Sequence, residues 1–101
     1  MKYYIVTSAF KSPLPVEGEE LKKFIQQHLA YLQKGFDEGW ILFSGPKVGS
    51  GGGVIVMKAE TQKEVDDFFA GDPMKKAGIQ DYLSGEFGLH KCQEALIDWF
   101  K

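Results

Sequence analysis

Hydrophobic residues recur along this chain with two different periods, and the switches between them outline the fold. Residues 3–9, YYIVTSA, are rich in β-branched and aromatic side chains and predict a first strand. Two prolines in the following KSPLPVEG predict a loop. From about Glu17 to Glu38 the spacing turns helical: Leu21, Phe24, Ile25, His28, Leu29, Leu32 and Phe36 fall on one face, and Gly39 supplies a stop. WILFSG at 40–45 and GVIVMKA at 53–59 predict a second and a third strand, joined by a Gly/Ser-rich hairpin loop. TQKE at 61–64 has the pattern of a capping box, with Val65, Phe68 and Phe69 as the buried face of a second helix that ends at Gly71 and Pro73. DYLSGEFGLH at 81–90 predicts a fourth strand interrupted by Gly85 and Gly88, and QEALIDWFK a short closing helix.

The order β-α-β-β-α-β is the split βαβ unit: an α+β fold with a four-stranded antiparallel sheet and two helices on one face. At 101 residues the chain is expected to form a single domain, 1–101. Its strands are apolar on both sides. Tyr3 and Ile5 alternate with Tyr4 and Val6, Ile41 and Phe43 with Trp40 and Leu42, and Val54 and Val56 with Ile55 and Met57. Two helices cover only one face, and a closing helix carrying Leu96, Trp99 and Phe100 is too short to cover the other. The expectation is a homodimer in which two sheet faces meet.

Composition removes several classes of function. With a formal charge of −2, the chain offers no electrostatic reason to bind a polyanion. Tyr3, Tyr4, Trp40 and Phe43 could suggest base stacking, but a basic surface and the aromatic-basic strand motif are missing, so no nucleic-acid partner is expected. Cys92 is the only cysteine and there are two histidines, too few for a Cys/His zinc set. No metal or cofactor is expected, and a reducing cytoplasm fits best. No stretch approaches the roughly 18 apolar residues of a membrane span, so no membrane partner is expected.

Candidate chemistry centres on His28. Helical rotation puts it near the middle of the apolar stripe, facing the sheet, where an imidazole needs hydrogen-bond partners. A core histidine bonded to a backbone carbonyl satisfies that need, and so does a histidine oriented by a carboxylate. Asp72 is the best carboxylate, because it directly follows the second helix. Asp72-Pro73 also has the signature of an N-cap with proline at the first helical position, and one oxygen could cap while the other orients the imidazole. His90 reads as a solvated residue at a strand end, and Cys92 as a small buried hydrophobe. GPKVGSGGG at 45–53 lacks the Walker spacing and precedes a strand, so it reads as a hairpin loop, 47–53, able to cover a pocket into which Ser44 could point.

HLAYLQKGFDEGWILFSGP followed by DPMKKAGIQDYLSGEF resembles the YciI-like (YCII-related) family of small ferredoxin-like dimers, over about Tyr3 to Phe87. The resemblance implies a dimeric α/β barrel architecture and a histidine and an aspartate facing a pocket, here His28 and Asp72. Ser44, Gly45 and Pro46 match the family's small-Gly-Pro step at the pocket wall, with serine where alanine is common. Pro73 of the Asp-Pro pair is placed with them as substrate-binding. One branch of the family is implicated in dehydrochlorination of an aromatic ring compound. The resulting expectation is a cofactor-free, lyase-type enzyme in which His28 moves a proton on a small cyclic or aromatic substrate. The alternative is a non-catalytic protein that binds a small ligand or accompanies another protein.

Overall fold

In the computed structural model, which describes residues 1–101, alternation along the first strand decides which side of the sheet becomes the core. β1 (Lys2–Phe10) buries Tyr4, Val6 and Ser8 and turns Ile5 outward. It pairs antiparallel with β3 (Gly53–Ala59) on one side and β4 (Gln80–Phe87) on the other. β2 (Ile41–Pro46) pairs antiparallel with the far edge of β3, giving the order β2-β3-β1-β4 of a ferredoxin-like α+β fold. α1 (Gly18–Asp37) connects β1 to β2, and α2 (Gln62–Ala70) with the one-turn α3 (Pro73–Lys76) connects β3 to β4.

Local signals set the helix ends. Glu19 and Glu20 in the first turn of α1 and Lys34 in its last complement the helix dipole. Gly39 then takes φ +84°, a left-handed turn that glycine adopts without steric cost, and its N–H donates to the Phe36 carbonyl at 3.1 Å. Thr61 caps α2 by accepting from the Glu64 N–H at 3.2 Å. The Glu64 carboxylate reaches back to the Glu60 N–H at 3.0 Å, one residue before the N-cap that a standard capping box would engage. Leu32 of α1 and Val65 and Phe69 of α2 close the core over Tyr4, Val6, Ile41, Ile55 and Met57.

Four expectations change. Ile41 pairs with Met57 but Phe43 with Val56, so the register shifts between them and one residue is left over. That bulge inverts the alternation, leaving Ile41 in the core and Phe43 on the outer face rather than both on one side. Leu29 and Phe36 are exposed, because the sheet-facing stripe of α1 runs through Phe24, His28, Tyr31, Leu32 and Gly35. β4 starts at Gln80 and stops at Phe87, where it has already reached Tyr3 near the beginning of β1; Gly85 stays in the strand opposite Ile5. The closing helix is a single 3₁₀ turn, Glu94–Leu96. Tertiary partners take the residues after it: Trp99 Nε1 donates to the Gly39 carbonyl at 2.9 Å, Lys58 Nζ to the Trp99 carbonyl at 2.6 Å, and the Tyr3 hydroxyl to the Phe100 carbonyl.

This C-terminal segment covers the outer face only around Tyr3, where Phe100 packs edge-on at 4.8 Å between ring centroids. Ile5, Phe43 and Leu83 remain exposed on that face. No helix is long and apolar enough to cross a membrane.

Candidate active site

α1 presents His28 toward the junction between α2 and α3. The side chain is only 16% exposed, while Asp72, at the head of α3, is fully buried. His28 Nδ1 lies 2.9 Å from Asp72 Oδ1. An ionised carboxylate can only accept, so a neutral imidazole paired with one donates from Nδ1 and keeps its lone pair on Nε2. Nε2 has no protein partner, and no fully buried side-chain polar atom in the fold lacks one, so Nε2 is open to solvent-filled space.

The other oxygen of Asp72 accepts from the Tyr82 hydroxyl, and Tyr82 in turn accepts from Gln80 Nε2 at 2.7 Å. Asp72 makes no side-chain cap bond to α3, so the expected division between capping and orienting does not occur; both oxygens serve side chains. A buried carboxylate is costly unless hydrogen-bonded, and two direct donors meet that requirement here. Burial first, and then the hydrogen bond to Asp72, push the Tyr82 hydroxyl far above the ordinary tyrosine range, so it remains a donor. Burial, with the nearby Asp72 charge, also raises Tyr31, whose hydroxyl donates to the Phe68 carbonyl at 2.7 Å.

A cavity of about 320 Å³ opens between α1, the sheet and the β2–β3 hairpin. His28 and Gln80 lie on its wall among Ile25, Leu29, Phe10 and Met74. Ser44, Gly45 and Pro46 also line it, the position that the family resemblance implies for them. Pro73 does not line the cavity; Met74 does, because one helical residue turns the side-chain direction by roughly 100°. Asp72 stands behind His28, off the wall. The walls hold Lys47 and no carboxylate. His90 and Cys92 follow β4 and take no part in the cavity.

The glycine-rich loop forms a wall of the cavity through a close backbone approach. A Cβ on Gly52 would stand 2.1 Å from the Ser8 carbonyl oxygen, and φ there is +79°. The Ser8 hydroxyl accepts from the Gly53 N–H at 2.8 Å, and the Lys47 N–H donates to the Gly52 carbonyl at 3.0 Å. The first bond fastens the returning half of the loop to β1 and the second closes the hairpin on itself, while Val48 at the tip stands free in solvent.

Gln80, Tyr82, Ser8 and Lys47 were not marked by sequence reasoning. The first two had a signal. Residues of a strand two apart share a face, so Gln80 and Tyr82 both belong to the helix-covered side once the strand is begun at Gln80 instead of Asp81. Ser8 and Lys47 follow only from the hairpin's fold-back onto β1.

An antiparallel β2-β3-β1-β4 sheet, with helices over one face and a cavity between the first helix and the sheet, defines a ferredoxin-like α+β protein with an interior pocket. The family model for the YCII-related domain matches residues 1–86, and the chain belongs to that family. Among solved structures it is similar to 5-chloro-2-hydroxyhydroquinone dehydrochlorinase from Burkholderia phenoliruptrix AC1100, in complex with 2,5-dihydroxybenzoquinone. That match has a TM-score of 0.66 and 23% identity, covering 85% of this chain and 93% of that one. It is also similar to muconolactone isomerase, with a TM-score of 0.66 and 14% identity, covering 91% of this chain and 92% of that one. No curated protein sequence matches.

Proposed function

We propose that this chain is a small cofactor-free enzyme of lyase or isomerase type, in which His28 carries a proton to and from a small cyclic or aromatic substrate. The observation that carries the reading is the hydrogen bond between His28 Nδ1 and buried Asp72, on a histidine that lines the cavity and has no protein partner at Nε2. His28 Nε2 takes a proton from the substrate, and the electron pair released forms a new π bond. Chloride or another leaving group then departs with its own pair, or the proton returns at a second carbon. Asp72 holds the tautomer and stabilises the imidazolium that forms. The names of the two similar structures, a dehydrochlorinase and an isomerase, describe these two outcomes of one proton transfer.

The cavity volume suits a single ring with small substituents. Ser44, Gly45 and Pro46 supply part of the wall around the ring, and Lys47 favours electron-rich or anionic substituents. A homodimer through the outer sheet face belongs to the same reading, because Ile5, Phe43 and Leu83 there have no cover within one chain.

The test is a panel of chlorinated hydroxybenzenes followed by chloride release, and of unsaturated lactones followed by deuterium uptake from heavy water. Turnover that vanishes in His28→Gln, with the circular dichroism spectrum unchanged, supports the enzyme. Turnover that persists in His28→Gln contradicts it, and saturable binding without turnover across the panel transfers the pocket to a ligand-binding protein.

A further inference from the structure

Gln80 is 2% exposed and lies on the cavity wall at the first position of β4. A chain of donors fixes its amide. The Asp72 carboxylate can only accept, so Tyr82 spends its single hydroxyl hydrogen there. The Tyr82 oxygen is then available only as an acceptor, and Gln80 must turn its NH₂ toward it, at 2.7 Å. Its carbonyl oxygen therefore points the other way. That oxygen has no hydrogen-bond partner in the protein and is not sealed inside the fold, and Gln80 lines the cavity. An amide carbonyl buried in this way lacks only a donor, and leaving it unpaired on ligand binding would cost affinity.

We propose that Gln80 is a specificity-determining residue whose carbonyl accepts a hydrogen bond from the ligand, and that the pocket selects ring compounds bearing a hydroxyl. The proposal rests on the proton-transfer reading only in placing that ring beside His28. Gln80 and His28 both line the cavity, each with an acceptor that no protein group engages, so a ring with two hydroxyl groups can satisfy both, whereas a ring bearing only carbonyl oxygens leaves both unpaired. The orientation of the Gln80 amide depends on Asp72 through Tyr82, which couples ligand selection to the group that orients the base.

The test compares phenol with toluene, which has nearly the same shape and no donor, by titration followed by NMR. Neither is a substrate for elimination, so the result does not depend on whether His28 catalyses anything. In Gln80→Met the ratio of phenol to toluene affinity falls about tenfold from the wild-type value, the scale of one hydrogen bond at a buried acceptor. In His28→Phe most of the wild-type ratio remains. An unchanged ratio in Gln80→Met overturns the proposal. So does a fall confined to His28→Phe, which would put the hydroxyl on the imidazole. Should Gln80→Met fail to fold, the side-chain carbonyl carbon of Gln80 in the wild-type protein gives the answer. Its resonance shifts on adding phenol and not toluene if the proposal holds, and equal responses or none overturn it.

Discussion

Tyr82 donates its hydroxyl hydrogen to Asp72 on the carboxylate oxygen that His28 leaves free. Asp72 is wholly buried, so this bond is part of what allows a charge to stay in the interior. Tyr82→Phe removes it and also strips Gln80 Nε2 of its acceptor. The expected loss of folding stability is about 1–3 kcal/mol, read from the denaturant midpoint, with packing against Phe69 preserved.

The same residue sets a pH dependence. Burial and Asp72 raise the Tyr82 hydroxyl above its ordinary value of 10.0 in the folded protein. As pH rises through 10.0, the unfolded chain gives up this proton while the folded chain keeps it, so alkali favours unfolding. The contribution is fully present below that pH and is lost above it. The alkaline decline in stability is therefore expected to be shallower in Tyr82→Phe than in the wild type, measured by denaturant unfolding at a series of alkaline pH values.

Asp72→Asn keeps the shape of the junction and removes the charge. The variant is expected to fold, and its kcat on any substrate found for the wild type falls by about 10²–10⁴-fold, because the imidazole is no longer held in one tautomer or stabilised as a cation. An unchanged kcat would mean that Asp72 is only a structural partner of His28.

Gly52→Ala tests the hairpin wall. The added methyl group would meet the Ser8 carbonyl and strain a backbone at φ +79°, so the returning half of the loop must leave β1. The expected cost is about 1–3 kcal/mol, accompanied by weaker binding of any ligand that touches the hairpin side of the cavity. Unfolding curves and ligand titration on the same sample check both effects.

The outer face gives a prediction about assembly. Leu83 and Phe43 are exposed there with Ile5 beside them. Light scattering is expected to give twice the chain mass for the wild type and the single-chain mass for Leu83→Glu or Phe43→Glu. A monomeric wild-type protein would contradict the dimer.

What the sequence made legible was mainly local. β3 lies where the seven-residue run GVIVMKA predicts it, and α1 within one residue of its expected limits at each end. His28 stood out because its helical position placed a polar ring in an apolar stripe, and Asp72 because it directly follows the second helix; the two are hydrogen-bonded. The bulge at Leu42 was not legible, since a register shift depends on how β2 meets β3 and not on β2 alone. Whether Pro73 or Met74 faces the cavity depends on the packing angle of a one-turn helix. The closing helix failed for a similar reason: Trp99 and Phe100 find partners on Tyr3, Lys58 and Gly39, all distant in sequence. Gln80 was hidden by one residue, because beginning β4 at Asp81 leaves out the amide that completes the hydrogen-bond chain, while Tyr82 lay inside the expected strand without a role assigned to it.

The central claim is that Asp72 holds His28 with its proton on Nδ1 and a basic Nε2 beside the cavity. Long-range ¹H–¹⁵N NMR of the neutral imidazole measures this directly, with His28→Gln identifying the signal. The wild-type protein is expected to show the Nδ1–H tautomer alone, and Asp72→Asn a mixture of the two. A wild-type ring protonated on Nε2, or a tautomer indifferent to Asp72, would contradict the account.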